Sequence, residues 1–232
     1  MEAILLPAIY FGGLIATYWY GKKRCVDGLF HSFSLLAVLL LIIPFGWSFG
    51  VRIGQGIAIS IPLAFLGVAI LLAMERHRWH DFYITGNAIS YSLIDGIVTC
   101  LLFIVPFSLI LTYSRTGHIT WLSSDQVPNY LLQSTETALF EELVYRSLFL
   151  GYLRRFSITP VYANLIQTAY FGALHLHYLG SRDYLLLTFV LVFSLIQGYI
   201  VLKRGNLAGA LLVHTASNFI PLILNNGQIP MM

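Results

Sequence analysis

Charge is scarce in this chain. Only 10% of its 232 residues are Asp, Glu, Lys or Arg, where soluble domains carry about 25%. That shortage excludes a water-soluble globule and points to an integral membrane protein. The 13 basic and 10 acidic residues leave too slight an excess to suggest a nucleic-acid partner. Cysteine is scarcer still. Cys25 and Cys100 stand in unrelated places and make neither a disulfide framework nor a metal-ligand spacing. Cys25 follows Lys22-Lys23-Arg24, a juxtamembrane setting that suits palmitoylation, although an ordinary small residue accounts for it as well. Internal repeats and low-complexity tracts are missing, and the inverted halves of a transporter are not evident. Met1-Glu2-Ala3-Ile4 offers no basic n-region, and the first apolar run is too long for a signal-peptide core, so no cleavable leader is expected.

Apolar surface is what the chain has in excess: 58% of residues are hydrophobic and the mean hydropathy is +0.78. A membrane span needs about 20 mostly apolar residues. Eight stretches qualify: Ile4–Tyr20, Leu29–Phe49, Ile53–Met74, Tyr91–Tyr113, Leu131–Leu153, Pro160–Leu176, Tyr184–Leu202 and Leu207–Leu224. The expected fold class is therefore all-α, a polytopic membrane helix bundle of about eight transmembrane helices. Residues 1–232 form one integral membrane domain, with a four-span N-terminal half (1–113) and a catalytic half (131–224). The fifth stretch is the least apolar, because Gln133-Ser134-Thr135-Glu136-Thr137 dilutes its first half.

The basic residues alternate correctly only if that fifth stretch crosses. Lys22, Lys23, Arg24, Arg76, Arg78, Arg154, Arg155, Lys203 and Arg204 follow the odd-numbered spans, while Arg52, Arg115 and Arg182 fall on the other side. By the positive-inside rule the richer side is cytoplasmic, which puts both termini outside the cell membrane. Tyr18-Trp19-Tyr20, Trp47, Trp79 and Trp121 sit at span ends or in connections, as interfacial rings do. The connection 114–129 is the longest on the outer side. Its Ser123-Ser124-Asp125 followed by Pro128 reads as helix-start chemistry, and an outer lid or interfacial helix is expected there.

Against this apolar background, Leu139-Phe-Glu-Glu-Leu-Val-Tyr-Arg146 stands out. A charge at mid-bilayer costs roughly 2.5–3.5 kcal/mol, so Glu141, Glu142 and Arg146 must face protein or a wet cavity. Glu142 and Arg146 are four apart and stack on one helix face, where they can pair; Glu141 is rotated by about 100°. Desolvation raises a carboxyl pKa and a nearby Arg lowers it, which is a way to place a general base near working pH. The alternative is a buried ion cluster that only locks helices together. Phe171-Gly-Ala-Leu-His175-Leu-His177 puts Phe171 and His175 on one face, with Gly172 and Ala173 permitting close helix approach; His177 fits an interfacial residue better. His214-Thr-Ala-Ser-Asn218 places an imidazole and an amide one turn apart, both able to donate to a developing oxyanion. An interhelical polar clasp is the competing account of that pair.

Together, Glu141-Glu142-Leu-Val-Tyr-Arg146, Phe171-Gly-Ala-Leu-His175 and His214-Thr-Ala-Ser-Asn218 resemble the three motifs of the CPBP family of intramembrane proteases. That family includes the CAAX prenyl endopeptidases and abortive-infection-like bacterial relatives. The likeness covers about the last hundred residues. It implies an intramembrane endopeptidase acting near the C-terminus of a membrane-anchored or lipidated protein. Glu141 and His175 would activate a water, His214 and Asn218 would stabilise the oxyanion, and Glu142 and Arg146 would tune Glu141. Two carboxylates and two histidines are also a donor set that zinc accepts. No His-Glu-x2-His pairing appears and the donors lie on three separate spans, so neither metal nor cofactor is expected. By helix rise, Glu141 lies about 16 Å below the outer end of its span, which with the charge rule opens the cavity outward. That would suit a bacterial member resembling myxosortases. A non-proteolytic immunity or scaffold protein and a proton-coupled transporter are the other classes; the intact motifs speak against the first and the lack of repeats against the second.

Overall fold

The computed structural model describes residues 68–70, 72–73, 76–175 and 177–228. The first three expected spans and Cys25 lie outside the described residues, apart from the end of the third. Helix is the only regular structure among the described residues. A 3-10 turn, Arg76–Phe82, leads to α1, Ile89–Thr116; then come α2, Val127–Glu141, a π-helical segment, Glu142–Phe149, and α3, Leu150–Arg155. After these follow α4, Pro160–Leu174, a single turn, His177–Gly180, then α5, Tyr184–Arg204, and α6, Ala208–Leu224. Two of them, α1 and α5, are long and apolar enough to cross a membrane. On α1, Leu101 and Leu102 are 61% and 75% exposed. A large outward apolar face of that kind needs a nonaqueous neighbour.

The described residues divide into two compact units, those up to 82 with 147–196, and 83–146 with those from 197 onward. In the first, the core is aromatic. Phe82 meets Tyr152 edge-on at 5.0 Å, and Phe149 meets Tyr170 edge-on at 4.9 Å. Gly151 has no side chain because a Cβ there would stand 2.5 Å from the Phe82 ring. Ser147 Oγ donates to the Phe82 carbonyl at 2.6 Å. Helices α4 and α5 share a polar clasp: Asn164 donates to the Leu195 carbonyl and Gln167 to the Ser194 carbonyl, at 3.0 and 3.2 Å. Such bonds hold helices together where burial of apolar surface no longer drives association.

In the second unit α6 packs on α1 and α2. Pro106 explains a break in α1. It has no N–H for the Leu102 carbonyl and its ring crowds that turn, and the helix widens to π geometry over Cys100–Ile104 just before it. Gly117, in the left-handed region at φ 73°, closes α1 by donating to Tyr113 O. Near its start, α1 touches α6 backbone to backbone. A Cβ on Gly96 would stand 2.9 Å from Gly209 O, one on Gly209 would overlap Ser92 O, and Ser92 Oγ accepts from Gly209 N at 2.9 Å. Ser92-x3-Gly96 is thus a small-residue pair used for close approach. Arg204, at the end of α5, holds Asp95 with both ends of its fork, at 2.7 and 2.9 Å.

The connection ahead of α2 corrects one expectation. Residues 117–126 form neither a lid helix nor an interfacial helix. They run as an irregular strap whose Thr120 N and Leu122 N donate to Leu224 O and Ile223 O, at 3.1 and 2.9 Å. Helix α2 starts at Val127 with Pro128 in its first turn, and Ser123 bonds Asp125 instead of capping the helix. The Ser123 hydroxyl holds the Asp125 carboxyl below the usual carboxylate range. Backbone groups that a helix would have paired are paired to the end of α6, which is why no helix is needed there.

Candidate active site

Glu141 and Glu142 lie at the junction of α2 with the π segment. Glu142 N is shared between the carbonyls of Ala138 and Leu139, and from there the helix adopts i→i+5 bonding through Phe149. A π turn inside an α-helix is uncommon and tends to occur at functional sites. Glu142 and Arg146 form the pair expected from their spacing, with Arg146 Nη1 3.2 Å from Glu142 Oε1. Both residues are 0% exposed. An ion pair so enclosed must recover a large desolvation cost through close and repeated contacts.

The second contact to that oxygen comes from α6. His214 Nδ1 lies 2.7 Å from Glu142 Oε1. A carboxylate only accepts, so Nδ1 carries a proton and donates it to Glu142. On the far side of the ring, His214 Nε2 is 3.5 Å from Glu141 Oε2. The imidazole therefore stands between two carboxylates that are neighbours in sequence. The two differ in burial: His214 is 3% exposed, whereas the Glu141 side chain keeps 25% exposure. One carboxylate is sealed and paired, and the other is reachable. Glu142 Oε2 is buried with no hydrogen-bond partner among the described residues.

Asn218 follows His214 by one turn on α6 and is partly exposed. The neighbouring Ser217 hydroxyl donates to the His214 carbonyl at 2.9 Å. Gln197, fully buried on α5, donates from Nε2 to Ala210 O, one turn ahead of His214. Spacing gave no sign of that brace. Nor did spacing signal the approach of His214 to Glu142, since periodicity within a helix does not encode which other helix it meets.

His175 belongs to the other unit, at the C-terminal end of α4. Its Nδ1 is 2.9 Å from Phe171 O, and a carbonyl can only accept, so Nδ1 holds the proton and Nε2 is the acceptor of the neutral ring. The ring also lies 4.9 Å from that of Phe171, which confirms the shared face read from Phe-x3-His. Gly172 provides the expected close approach: a Cβ there would stand 2.5 Å from Leu191 Cδ2. Among the described residues, no group of three or more His, Cys, Asp or Glu side chains is arranged to hold a metal ion.

All three motifs fall within a stretch that matches a known family model, that of the type II CAAX prenyl endopeptidase Rce1-like proteins, over residues 123–220. No curated protein and no solved structure matches the chain. Residues 123–220 are thus similar to the type II CAAX prenyl endopeptidase Rce1-like family, in accord with the resemblance carried by the Glu-Glu-x3-Arg, Phe-x3-His and His-x3-Asn motifs.

Proposed function

We propose that the chain is an intramembrane endopeptidase of glutamate type, cutting near the C-terminus of a membrane-anchored or lipidated protein. The observation that carries this reading is the His214 ring held between Glu142 and Glu141. Glu141, the reachable carboxylate, takes a proton from water while the water oxygen bonds to the scissile carbonyl carbon. The carbonyl electrons move to its oxygen, and donors from His214 and Asn218 stabilise that charge. As the tetrahedral adduct collapses, the C–N bond breaks and the proton passes from Glu141 to the leaving amine.

For His214 to donate from Nε2 while Nδ1 serves Glu142, the ring carries both protons. Glu141, Glu142, Arg146 and His214 then sum to zero charge, which suits so buried a cluster. The roles of Glu142 and Arg146 are to fix that ring and to balance it. His175 joins the proposal through its motif, with its ring oriented by the bond from Nδ1 to Phe171 O. Arg146 also bears on metal: a guanidinium 3.2 Å from Glu142 opposes a second cation at the same carboxylate, which favours the metal-free reading over a zinc protease.

The orientation that goes with this reading has eight spans in one membrane domain, both termini outside, and a cavity open to the outer face. Reporter fusions at the termini test it, and cytoplasmic termini would overturn it. The activity is tested by comparing C-terminal peptides of the membrane proteome in cells carrying the wild-type chain or Glu141→Gln. We expect one anchored protein to keep its C-terminal segment in the variant. Identical C-termini in both strains would refute the assignment.

A further inference from the structure

The mechanism above leaves one feature of α2 unused. Gln126, Asn129, Tyr130, Gln133, Thr137 and Glu141 recur at intervals of three and four, so they fall along one side of the helix. Tyr130 and Glu141 are eleven residues apart, just over three whole turns, so they point nearly the same way about 16 Å from each other along the axis. The opposite side of α2 is apolar and open, with Leu131, Leu132 and Leu139 at 42%, 59% and 39% exposure. The three amides of the row, Gln126, Asn129 and Gln133, cannot be turned toward hydrocarbon without partners, so this side of α2 must meet water or another polar chain at its start.

The start of the row is hollow. A cavity of about 300 Å³, at the small end of ligand clefts, is lined by Gln126, Asn129, Tyr130 and Gln133. The segment after α6 presses on Tyr130 there: Gly227 has a φ of 77°, and a Cβ on it would stand 2.5 Å from the Tyr130 hydroxyl. No lining residue is charged. A phosphate or free carboxylate would find no cation in it. A primary amide offers donors and an acceptor together, which complements the C=O and N–H of a peptide unit.

We propose that this row is a docking track for an extended, uncharged stretch of the substrate polypeptide, gripped through its main chain and led from the Tyr130 cavity to Glu141. The proposal rests on the peptidase reading and adds a substrate class to it. An extended chain rises about 3.3 Å per residue, so 16 Å corresponds to about five residues between the cavity and the bond presented to Glu141. Specificity on this side would come from backbone reach and from the uncharged lining of the Tyr130 cavity, not from particular side chains.

The test uses the full chain in nanodiscs, with Glu141→Gln to stop chemistry. The probes are end-capped, fluorescein-labelled neutral peptides of Gly, Ala, Ser and Leu, together with copies N-methylated at single backbone positions. Binding is read by anisotropy. We expect N-methylation about five residues from the peptide's central bond to weaken binding roughly 2–10-fold, the loss of about one hydrogen bond. Gln133→Leu should weaken binding by a similar factor and abolish the sensitivity to methylation. Gln133→Ala, which keeps helix propensity high, should do the same, and an unchanged melting temperature for both variants confirms that the fold survives. Equal binding by the parent and both Gln133 variants, or no binding at all, would overturn the track. If the peptides bind as described but wild-type protein never cleaves anything, the peptidase reading fails and the track stands. Cleavage with a KM unmoved by the Gln133 variants would have the opposite meaning.

Discussion

Removing the negative charge of Glu142 should damage the protein in a way that removing that of Glu141 does not. Glu142 Oε1 is the meeting point of Arg146 Nη1 at 3.2 Å and His214 Nδ1 at 2.7 Å. Arg146 is 0% exposed, so Glu142→Gln leaves a guanidinium sealed away from water with its nearest counter-charge gone. Breaking one side of a buried pair costs about 3–5 kcal/mol. In a chain of this size each kcal/mol lowers Tm by about 2–4 °C, giving a fall of roughly 6–20 °C. Glu141 differs in both respects, since it keeps 25% side-chain exposure and its contact to His214 is 3.5 Å. Glu141→Gln should therefore lie within about 1 kcal/mol of wild type, as partly exposed pairs do. The double variant Glu142→Met with Arg146→Met removes both charges at once and should recover much of the loss, because apolar replacement of a whole buried pair is often neutral or better. Thermal unfolding of the purified proteins in one detergent, followed by tryptophan fluorescence, separates the three. An unchanged Tm for Glu142→Gln, or equal falls for both single variants, would refute the argument.

Three further outcomes are expected. His214→Ala should lower kcat by about 10²–10³, the cost of one lost oxyanion donor, with a smaller change in KM, measured on the substrate found by C-terminal proteomics. Gly209→Ala should destabilise by about 1–3 kcal/mol, because its Cβ would overlap Ser92 O, while Gly86→Ala, with nothing within 4 Å, should be close to neutral; paired melting curves decide it. Arg204→Lys should lose the two-pronged grip on Asp95 and lower the melting temperature slightly in the same assay, since an ammonium cannot reproduce the fork.

Much of the helix plan was legible before any coordinates. The stretch Pro160–Leu176 is α4, Pro160–Leu174; Tyr184–Leu202 is α5, Tyr184–Arg204; and Leu207–Leu224 is α6, Ala208–Leu224. Hydropathy and the prolines and glycines that bound these runs act locally, so a sequence reports them well. The Glu142–Arg146 pair was legible for the same reason, being a contact within one helix. The π segment was not, because i→i+4 and i→i+5 bonding suit the same residues. The contact of Glu142 with His214 joins positions 72 apart, and nothing in either motif names the other. The strap at 117–126 was misread as a helix because Ser, Asp and Pro start helices and tight turns alike.

The Ser92–Gly96–Gly209 crossing matters beyond stability. It acts as a fixed bearing, and His214 rides on it five residues further along α6. A helical side chain reaches about 5–6 Å from the axis, so turning α6 by 10° at that bearing swings the imidazole by about 1 Å. Displacements of that order can cost a hundredfold in rate. On the proposed peptidase reading, a methyl group added at Gly209, a residue with no chemistry of its own, would slow the reaction by displacing that distant ring.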